Sequence, residues 1–329
     1  MSKLKTAVVG VGALGRHHLR WMSQLTDSEL IGVYDIDQTR CQEYADEYKI
    51  KAFETIDQLA GEVDAVSIVV PTTVHYEIAS ELIKAGIHCL IEKPVTLNVE
   101  QAEELIKLAE EHKVKVTVGQ IERFNPAVVA LSKTVLKPSF IEAHRLAGFD
   151  PRGTDVAVIL DLMIHDIDLV LSFVDSKIKD IQASGVAVIS DMIDIANARL
   201  TFENGCVANL TASRISLNPM RKLRLFQKSG YSSLDLAKKQ ADIYQMASSD
   251  ETVEGFRMPL GKSGKDVIYN KIEDNGADML GAELASFLTA IKNDTDVAVS
   301  VFQASEALRV ALEVEKICKE SLQLHEEMS

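Results

Sequence analysis

The sequence Gly10-Val11-Gly12-Ala13-Leu14-Gly15 constrains the fold of this chain more than any other feature. It follows a short apolar run, Thr6–Val9, and opens a helix-like segment, which is the setting that a G-x-G-x-x-G motif needs to bind a dinucleotide. There Gly10 would allow a tight turn, Gly12 would admit a pyrophosphate, and Gly15 would let the helix pack closely on the strand. The motif therefore predicts a phosphate loop made of Gly10, Gly12, Ala13, Leu14 and Gly15.

The second predicted strand ends at Asp35, where this motif expects a carboxylate that binds the adenosine ribose. A carboxylate there repels a 2′-phosphate, so NAD is expected in preference to NADP. Arg40, in the next helix pattern, weakens that preference because an arginine can accommodate a 2′-phosphate. The alternative is an ordinary strand–helix turn with Asp35 as a helix cap. The combination of a predicted strand, the three glycines, a following helix and Asp35 favours NAD binding.

The rhythm of apolar segments divides the chain into two parts. Up to about residue 120, short apolar runs alternate with helical patterns, which is typical of a parallel sheet covered on both faces. Beyond about residue 123, a long apolar helix pattern, Val156–Val174, precedes alternating strands joined by an Asn204-Gly205 hairpin signal. We therefore predict an α/β protein with an NAD-binding Rossmann domain, a doubly wound parallel sheet, at 1–122. A substrate-binding and oligomerisation domain would follow at 123–329, an α+β domain with an open, mainly antiparallel sheet.

The predicted strands of the second domain have one apolar and one polar face. The apolar face, expected to carry helices, consists of Ala198, Leu200, Phe202, Ala208, Leu210 and Ala212. The polar face, expected to be exposed or to meet another subunit, consists of Asn197, Arg199, Thr201, Asn209, Thr211 and Ser213. This favours a homodimer or homotetramer. Residues 245–275, rich in Gly, Ser and Pro, are expected to form a mobile loop region.

Composition excludes several classes of partner. A net charge of −14 argues against nucleic acid, and no run approaches the roughly 18 apolar residues of a membrane span. The four cysteines lie far apart with no C-x-x-C, and the N-terminus shows no apolar signal region. We therefore expect reduced thiols and a cytoplasmic location. No metal is expected, because Asp161, His165 and Asp168 have no fourth ligand.

Three further motifs carry a resemblance. They are Pro71-Thr72-x-x-His75, Glu92-Lys93-Pro94 and Asp161-Leu-Met-Ile-His165. With the glycine loop they resemble the Gfo/Idh/MocA family of sugar and cyclitol dehydrogenases. The likeness is greatest to the family's UDP-N-acetylglucosamine 3-dehydrogenases of lipid A biosynthesis, through the segments Ile121–Pro126, Arg152–Asp168, Ile195–Arg199, Asn204–Arg214 and Met220–Arg224.

The resemblance implies NAD-dependent oxidation of a secondary hydroxyl of a nucleotide sugar, at C3 of UDP-N-acetylglucosamine. Two alternatives stay open: another sugar or inositol dehydrogenase of the family, and an NAD-binding regulatory protein of the same fold. A sensor has no use for Lys93, Asp161 and His165 together, so their retention argues against the second alternative.

Chemistry and resemblance agree on the catalytic roles. Asp161 and His165 are four residues apart on a predicted helix, so Asp161 can orient the imidazole and His165 can accept a hydroxyl proton. Lys93 would hydrogen-bond the reacting oxygen and favour the alkoxide. The competing interpretations are a core histidine for His165, a surface carboxylate for Asp161 and a solvated strand-end charge for Lys93.

The remaining site residues follow from the resemblance. It implies cofactor contacts by Pro71, Thr72, His75, Glu92, Lys93, Pro94 and Arg123. Asn125, Arg152 and His165 are expected at the substrate, although Arg123 and Asn125 could equally be structural. A diphosphate needs a local cationic pocket in so acidic a chain, and Arg152 lies on a turn leading towards Asp161. Arg145, Arg214, Arg221 and Arg224 are further candidates, each of which could also be a surface charge.

Overall fold

The computed structural model describes residues 2–132, 134–150, 156–247, 255–260 and 265–327. The chain forms two compact units, Met1–Ile121 with Asp278–Arg309 and Glu122–Ala277 with Val310–Ser329. The sequence predicted two consecutive domains, 1–122 and 123–329. In the structure, residues 278–309 belong to the first unit and not to the second.

A six-stranded parallel sheet organises the first unit, in the order β3-β2-β1-β4-β5-β6. This is the doubly wound order of a Rossmann domain, as predicted. The strands are β1 (Leu4–Val9), β2 (Ser28–Tyr34), β3 (Lys51–Phe53), β4 (Ala65–Ile68), β5 (His88–Glu92) and β6 (Val116–Gly119). Strand β3 was missed by the sequence pattern, because three residues are too few to show a period.

Helices cover both faces of this sheet. They are α1 (Gly15–Gln24), α2 (Gln38–Tyr48), α3 (His75–Lys84), α4 (Val99–His112) and, from the far end of the chain, α7 (Met279–Asn293). Side-chain oxygens of Asp37, Asn98 and Asp278 cap the starts of α2, α4 and α7. Leu284 and Phe287 of α7 lie in one buried cluster with Leu19 of α1 and Val33 of β2, which explains why residues 278–309 belong to this unit.

The second unit is built on a nine-stranded sheet in the order β14-β15-β13-β12-β11-β7-β10-β9-β8. Every neighbouring pair is antiparallel except β7 and β10, which confirms the mainly antiparallel sheet. The strands are β7 (Pro138–Leu146), β8 (Ile178–Val186), β9 (Ile195–Phe202), β10 (Val207–Ser213), β11 (Met220–Gln227), β12 (Gly230–Asp235), β13 (Gln240–Met246), β14 (Phe256–Pro259) and β15 (Asp266–Ile272).

The prediction of a loop over 245–275 is wrong where the structure describes this region. Strands β14 and β15 lie there, and β15 pairs with β13 from Val267 to Ile272. The Gly, Ser and Pro residues in and around these short strands concealed the alternation within them.

The predicted faces of β9 and β10 are confirmed with one exception. The six apolar residues are buried, while Asn197 and Arg199 are exposed. Ser213 is buried, at 1% exposure, instead of being exposed, and its hydroxyl contacts the Ile215 amide and the Ser216 hydroxyl. The open face of the sheet also carries a row of aromatic rings from β7 to β15, with neighbouring centroids 4.8–5.9 Å apart.

The helix predicted over Val156–Val174 has two parts. A single π turn, Ile159–Met163, leads into α6 (Ile164–Phe173), and the amide of Ile164 donates to the carbonyl of Ile159. Helices α5 (Pro126–Leu131) and α8 (Val301–Glu327) complete the set, and α8 passes from the first unit to the second after Arg309. Within the described ranges, no helix has the length and apolar character needed to cross a membrane.

Candidate active site

The glycine loop has the geometry of a phosphate cradle. Gly10 has φ +89°, a left-handed conformation that favours glycine. A Cβ on Gly15 would lie 1.9 Å from the Gly10 carbonyl oxygen, so only glycine lets α1 begin this close to the loop. A Cβ on Gly12 would meet nothing within 4 Å, which leaves room for a ligand against its backbone. Ala13 and Leu14 are exposed just before the N-terminus of α1, and the positive end of a helix dipole suits an anion.

Asp35 is tied to this loop. One carboxylate oxygen accepts from the Val11 amide at 2.8 Å, and the other accepts from the Asp37 amide and the Arg40 guanidinium, each at 2.9 Å. Burial alone would raise the pKa of this carboxyl, but these three hydrogen bonds hold the pKa below its usual value. Asp35 is therefore ionised at neutral pH and stands at the edge of the loop, with Arg40 beside it.

The segment after β4 holds Pro71, Thr72 and His75, which were predicted to contact the cofactor. Pro71 is exposed and Thr72, which opens a 3-10 turn (Thr72–Val74), is partly exposed. His75 is only 1% exposed, and its two nitrogens face the carbonyl oxygens of Pro94 and Val70, each at 2.9 Å. The structure thus corrects the prediction for His75, because a ring that is almost fully buried with both nitrogens facing protein carbonyls presents no edge to a ligand.

Glu92, Lys93 and Pro94 form the turn at the end of β5, and all three are partly exposed. The Lys93–Pro94 peptide bond is cis. One oxygen of Glu92 lies 3.1 Å from His18 Nε2, and the other accepts from the Lys93 amide at 3.2 Å. His18 is buried, and its Nδ1 lies 2.7 Å from the Ser67 hydroxyl.

A buried carboxyl that the sequence did not predict, Glu283, lies close enough to Glu92 to be affected by its charge. Glu283, on α7, is 2% exposed, and neither of its carboxylate oxygens has a hydrogen-bond partner among the described residues. Burial, together with the charge of Glu92, raises the pKa of the Glu283 carboxyl well above its usual range. No local signal reveals this residue, because its acid neighbour comes from a strand almost two hundred residues earlier in the chain.

In the second unit, Asp161 and His165 are polar exceptions on a buried helix. Asp161 lies inside the π turn and His165 in the first turn of α6. Both are partly exposed, while Met163, Ile164 and Asp166 around them are buried. The predicted α-helical spacing therefore needs correction, since the interval crosses from a π turn into an α-helix. Single π turns of this kind are frequent at functional sites.

Arg123 and Asn125 are held in structural contacts within the second unit. The Arg123 guanidinium donates to both carboxylate oxygens of Asp168, at 2.5 and 2.9 Å. The Asn125 amide donates to Glu122 and to the Leu236 carbonyl and accepts from the Ala127 amide, with no exposed surface. This corrects the substrate-binding prediction for Asn125, since every side-chain donor is used, and gives Arg123 a partner other than a cofactor.

The arginines suggested for phosphate binding differ in whether protein groups already occupy them. Arg145 is 3% exposed and lies between Asp166, at 3.0 and 2.8 Å, and Glu122, at 2.9 Å, so it is not available to a phosphate. The Arg221 side chain is 53% exposed, and Arg221 pairs in register with Arg145 at the end of β7. Arg152 lies outside the described residues. Among the described residues, no group of three or more His, Cys, Asp or Glu could hold a metal ion.

Two family profiles match this chain. A profile described as an oxidoreductase family with an NAD-binding Rossmann fold matches residues 4–120, and a GFO/IDH/MocA C-terminal domain matches residues 143–230. The chain is 39% identical, over 95% of its length and 97% of the relative's, to the UDP-N-acetylglucosamine 3-dehydrogenase of Acidithiobacillus ferrooxidans. A solved structure of that enzyme matches with a TM-score of 0.89 over 98% of this chain and 100% of that chain. A myo-inositol dehydrogenase of Streptomyces leeuwenhoekii is 27% identical, over 95% of this chain and 97% of that protein.

Proposed function

Because this chain belongs to the GFO/IDH/MocA family of oxidoreductases, we propose that it uses NAD to oxidise the C3 hydroxyl of UDP-N-acetylglucosamine to a ketone. One observation carries the choice of substrate. The 39% identity to a UDP-N-acetylglucosamine 3-dehydrogenase runs through both units and nearly the whole of each chain. The inositol dehydrogenases, at 27% identity or less over similar lengths, are the second candidates.

The first unit supplies a site that fits NAD. The left-handed Gly10, the open backbone at Gly12 and the start of α1 would hold the pyrophosphate, and Asp35 would accept hydrogen bonds from the adenosine ribose. The ionised Asp35 supports NAD over NADP, although Arg40 stands beside it. Pro71, Thr72, Glu92 and Pro94 would line the nicotinamide end. When bound, NAD supplies the hydride acceptor.

The chain's own residues would handle the proton and the charge. His165 would take the hydroxyl proton, and Asp161 would stabilise the imidazolium that forms. Lys93 would donate a hydrogen bond to the reacting oxygen as negative charge develops on it. The partial exposure of all three supports these roles, because a group that meets substrate must be reachable.

The diphosphate of the substrate requires cationic groups. Of the candidate arginines in the described ranges, Arg221 is supported by its exposure, and its ion pair with Glu122 is long, at 4.0 Å. Arg145 has two carboxylate partners at hydrogen-bond distance, Arg214 donates to the Val156 carbonyl and Arg224 pairs with Glu142. Arg152 remains the candidate suggested by the sequence. Either residue, replaced by alanine, should raise the KM for a UDP-sugar more than it lowers kcat.

We also propose a homodimer or homotetramer formed through the open face of the nine-stranded sheet. Two features of that face support this: the aromatic row and a polar concavity of about 530 Å³ lined by Glu142, His144, Asn197, Arg199, Asn209 and Thr211, among others. A two-fold interface uses the same surface of both subunits, and apolar rings on an open sheet face supply area that association would bury. Size-exclusion chromatography with light scattering tests the proposal, and a clean monomer would refute it.

A cytoplasmic location and a role in lipid A biosynthesis belong to the same proposal. All four cysteines are free and buried, which fits a reducing compartment. The lipid A role rests on the resemblance alone.

The function is tested by NADH absorbance when the purified protein receives NAD and UDP-N-acetylglucosamine, with an amine-transfer reaction to remove the ketone. Free N-acetylglucosamine and myo-inositol serve as comparison substrates. We expect turnover with the UDP-sugar only. Turnover with inositol alone would refute the substrate while keeping the dehydrogenase. NAD binding without turnover of any of the three would favour a regulatory protein.

A further inference from the structure

His75 connects two neighbouring strand ends of the first unit. Val70 comes just after β4, and Pro94 comes just after β5, its neighbour in the sheet. The imidazole stands between them, with Nδ1 2.9 Å from the Pro94 carbonyl oxygen and Nε2 2.9 Å from that of Val70. The ring thus lies between the turn that carries Lys93 and the end of the adjacent strand.

The immediate neighbours of Pro94 explain why this placement matters. Lys93 precedes Pro94, and its amide donates to Glu92 at 3.2 Å. Val95 and Thr96, which follow, are 1% and 0% exposed, so the turn is packed on its far side. The contact between His75 and the Pro94 carbonyl therefore acts one residue away from Lys93, in a turn whose following residues are packed.

We propose that His75 is a positioning residue for Lys93, which it orients by donating a hydrogen bond from Nδ1 to the Pro94 carbonyl. The proposal rests on the proposed function, because it takes Lys93 as the donor to the reacting oxygen. A direct contact between His75 and a cofactor is not compatible with a ring that is 1% exposed and whose two nitrogens both face protein carbonyls.

The two contacts of the ring are not equivalent. A neutral imidazole has a single N–H, so only one of the two carbonyls can receive a hydrogen bond from it. Burial lowers the pKa of His75, which favours the neutral ring at neutral pH. Because the functional lysine adjoins Pro94 and not Val70, the bond to Pro94 is the one that should affect catalysis.

A matched pair of substitutions separates the two contacts. The amide nitrogen of His75→Asn takes the place of Nδ1 and keeps the bond to Pro94, whereas that of His75→Gln takes the place of Nε2 and can donate only to Val70. We expect His75→Asn to stay within about threefold of wild-type kcat and His75→Gln to lose about 10- to 100-fold, because small displacements of a catalytic group cost this much. The KM for NAD and the Tm should be similar in the two variants.

Other outcomes overturn the proposal. If His75→Gln keeps kcat while His75→Asn loses it, the bond to Val70 is the important one. If both variants lose kcat and Tm in parallel, His75 acts through stability alone. If both keep kcat, the ring does not position Lys93.

A second measurement does not depend on the substrate. Two-dimensional NMR of protein labelled with ¹⁵N-histidine shows which ring nitrogen of each of the eight histidines carries the proton, and the His75 signal is assigned by its absence in His75→Asn. We expect the Nδ1–H tautomer, and the Nε2–H tautomer would refute the proposal. Wild-type protein that shows this Nδ1–H signal but does not oxidise UDP-N-acetylglucosamine would refute only the proposed function.

Discussion

Removal of the charge on Asp35 should change the choice between NAD and NADP. The Asp35 carboxylate joins the glycine loop at Val11 to the start of α2 and accepts a bond from Arg40 at 2.9 Å. In Asp35→Asn the shape is kept, but the charge is lost and one oxygen becomes a donor. Arg40, whose side chain is 41% exposed, would then be free to pair with a 2′-phosphate.

Two contributions set the size of the effect. A hydrogen bond from a ribose hydroxyl to a charged carboxylate contributes about 1.5–3 kcal/mol, so NAD should bind roughly 10- to 150-fold more weakly. A phosphate about 4 Å from a carboxylate is repelled by about 4 kcal/mol at an effective dielectric constant of about 20, and this repulsion disappears for NADP. Allowing for solvent screening, we expect the ratio of the two affinities to change by about 100-fold or more.

The assay is a fluorescence or calorimetric titration of each variant with NAD and NADP. Asp37→Asn is the matched control, because it removes the same charge two residues away, where the side chain is 49% exposed, and asparagine caps a helix as well as aspartate does. Its affinity ratio should stay within about threefold of wild type, since exposed charges are screened. An unchanged ratio in Asp35→Asn would show that Asp35 does not face the ribose, and tighter binding of NADP by wild type would refute the proposed preference.

Four further outcomes are expected. Lys93→Ala and His165→Ala should each slow single-turnover hydride transfer by about 100-fold or more, while NAD affinity changes little; near wild-type rates in folded protein would exclude this site. Arg221→Ala should raise the KM for UDP-N-acetylglucosamine more than it lowers kcat, and an unchanged KM would make Arg221 a surface charge. Arg145→Met removes both hydrogen bonds that Asp166 accepts from a cation and one of those to Glu122, so it should lower the free energy of unfolding in urea by about 3–5 kcal/mol, whereas a loss under about 1 kcal/mol would contradict a buried ion pair. The pKa of the Glu283 carboxyl is raised in the folded state, so above about pH 4.3 the folded protein still holds a proton that the unfolded chain has lost. The free energy of unfolding of wild type therefore falls as pH rises from there towards the folded pKa. Glu283→Gln should flatten this decline in urea titrations across pH, and an equal slope in both proteins would show that the carboxyl is ionised.

The local features of this protein could be predicted from its sequence. The glycine loop, the acid at position 35 and the short apolar runs are contiguous patterns, and the parallel sheet that they predict is present, in doubly wound order. The Asn204-Gly205 hairpin and the two faces of β9 and β10 follow from a period of two residues, which the backbone of a strand imposes. Motifs also led to Lys93, Asp161 and His165, whose roles remain predictions.

The contacts that only the tertiary structure decided join residues far apart in the chain. Arg145 looked free to bind phosphate, but folding encloses it between Glu122 and Asp166, because a buried charge must find opposite charges. The sequence predicted that His75 contacts a cofactor. The packing of α3 on β4 and β5 instead places its ring between the carbonyls of Val70 and Pro94, at two strand ends. Helix α7 belongs to the first unit because its apolar side packs in the same core as residues more than 200 positions earlier in the chain. A periodic pattern shows that a face will be buried, but the residues that bury it are chosen by packing across the whole fold.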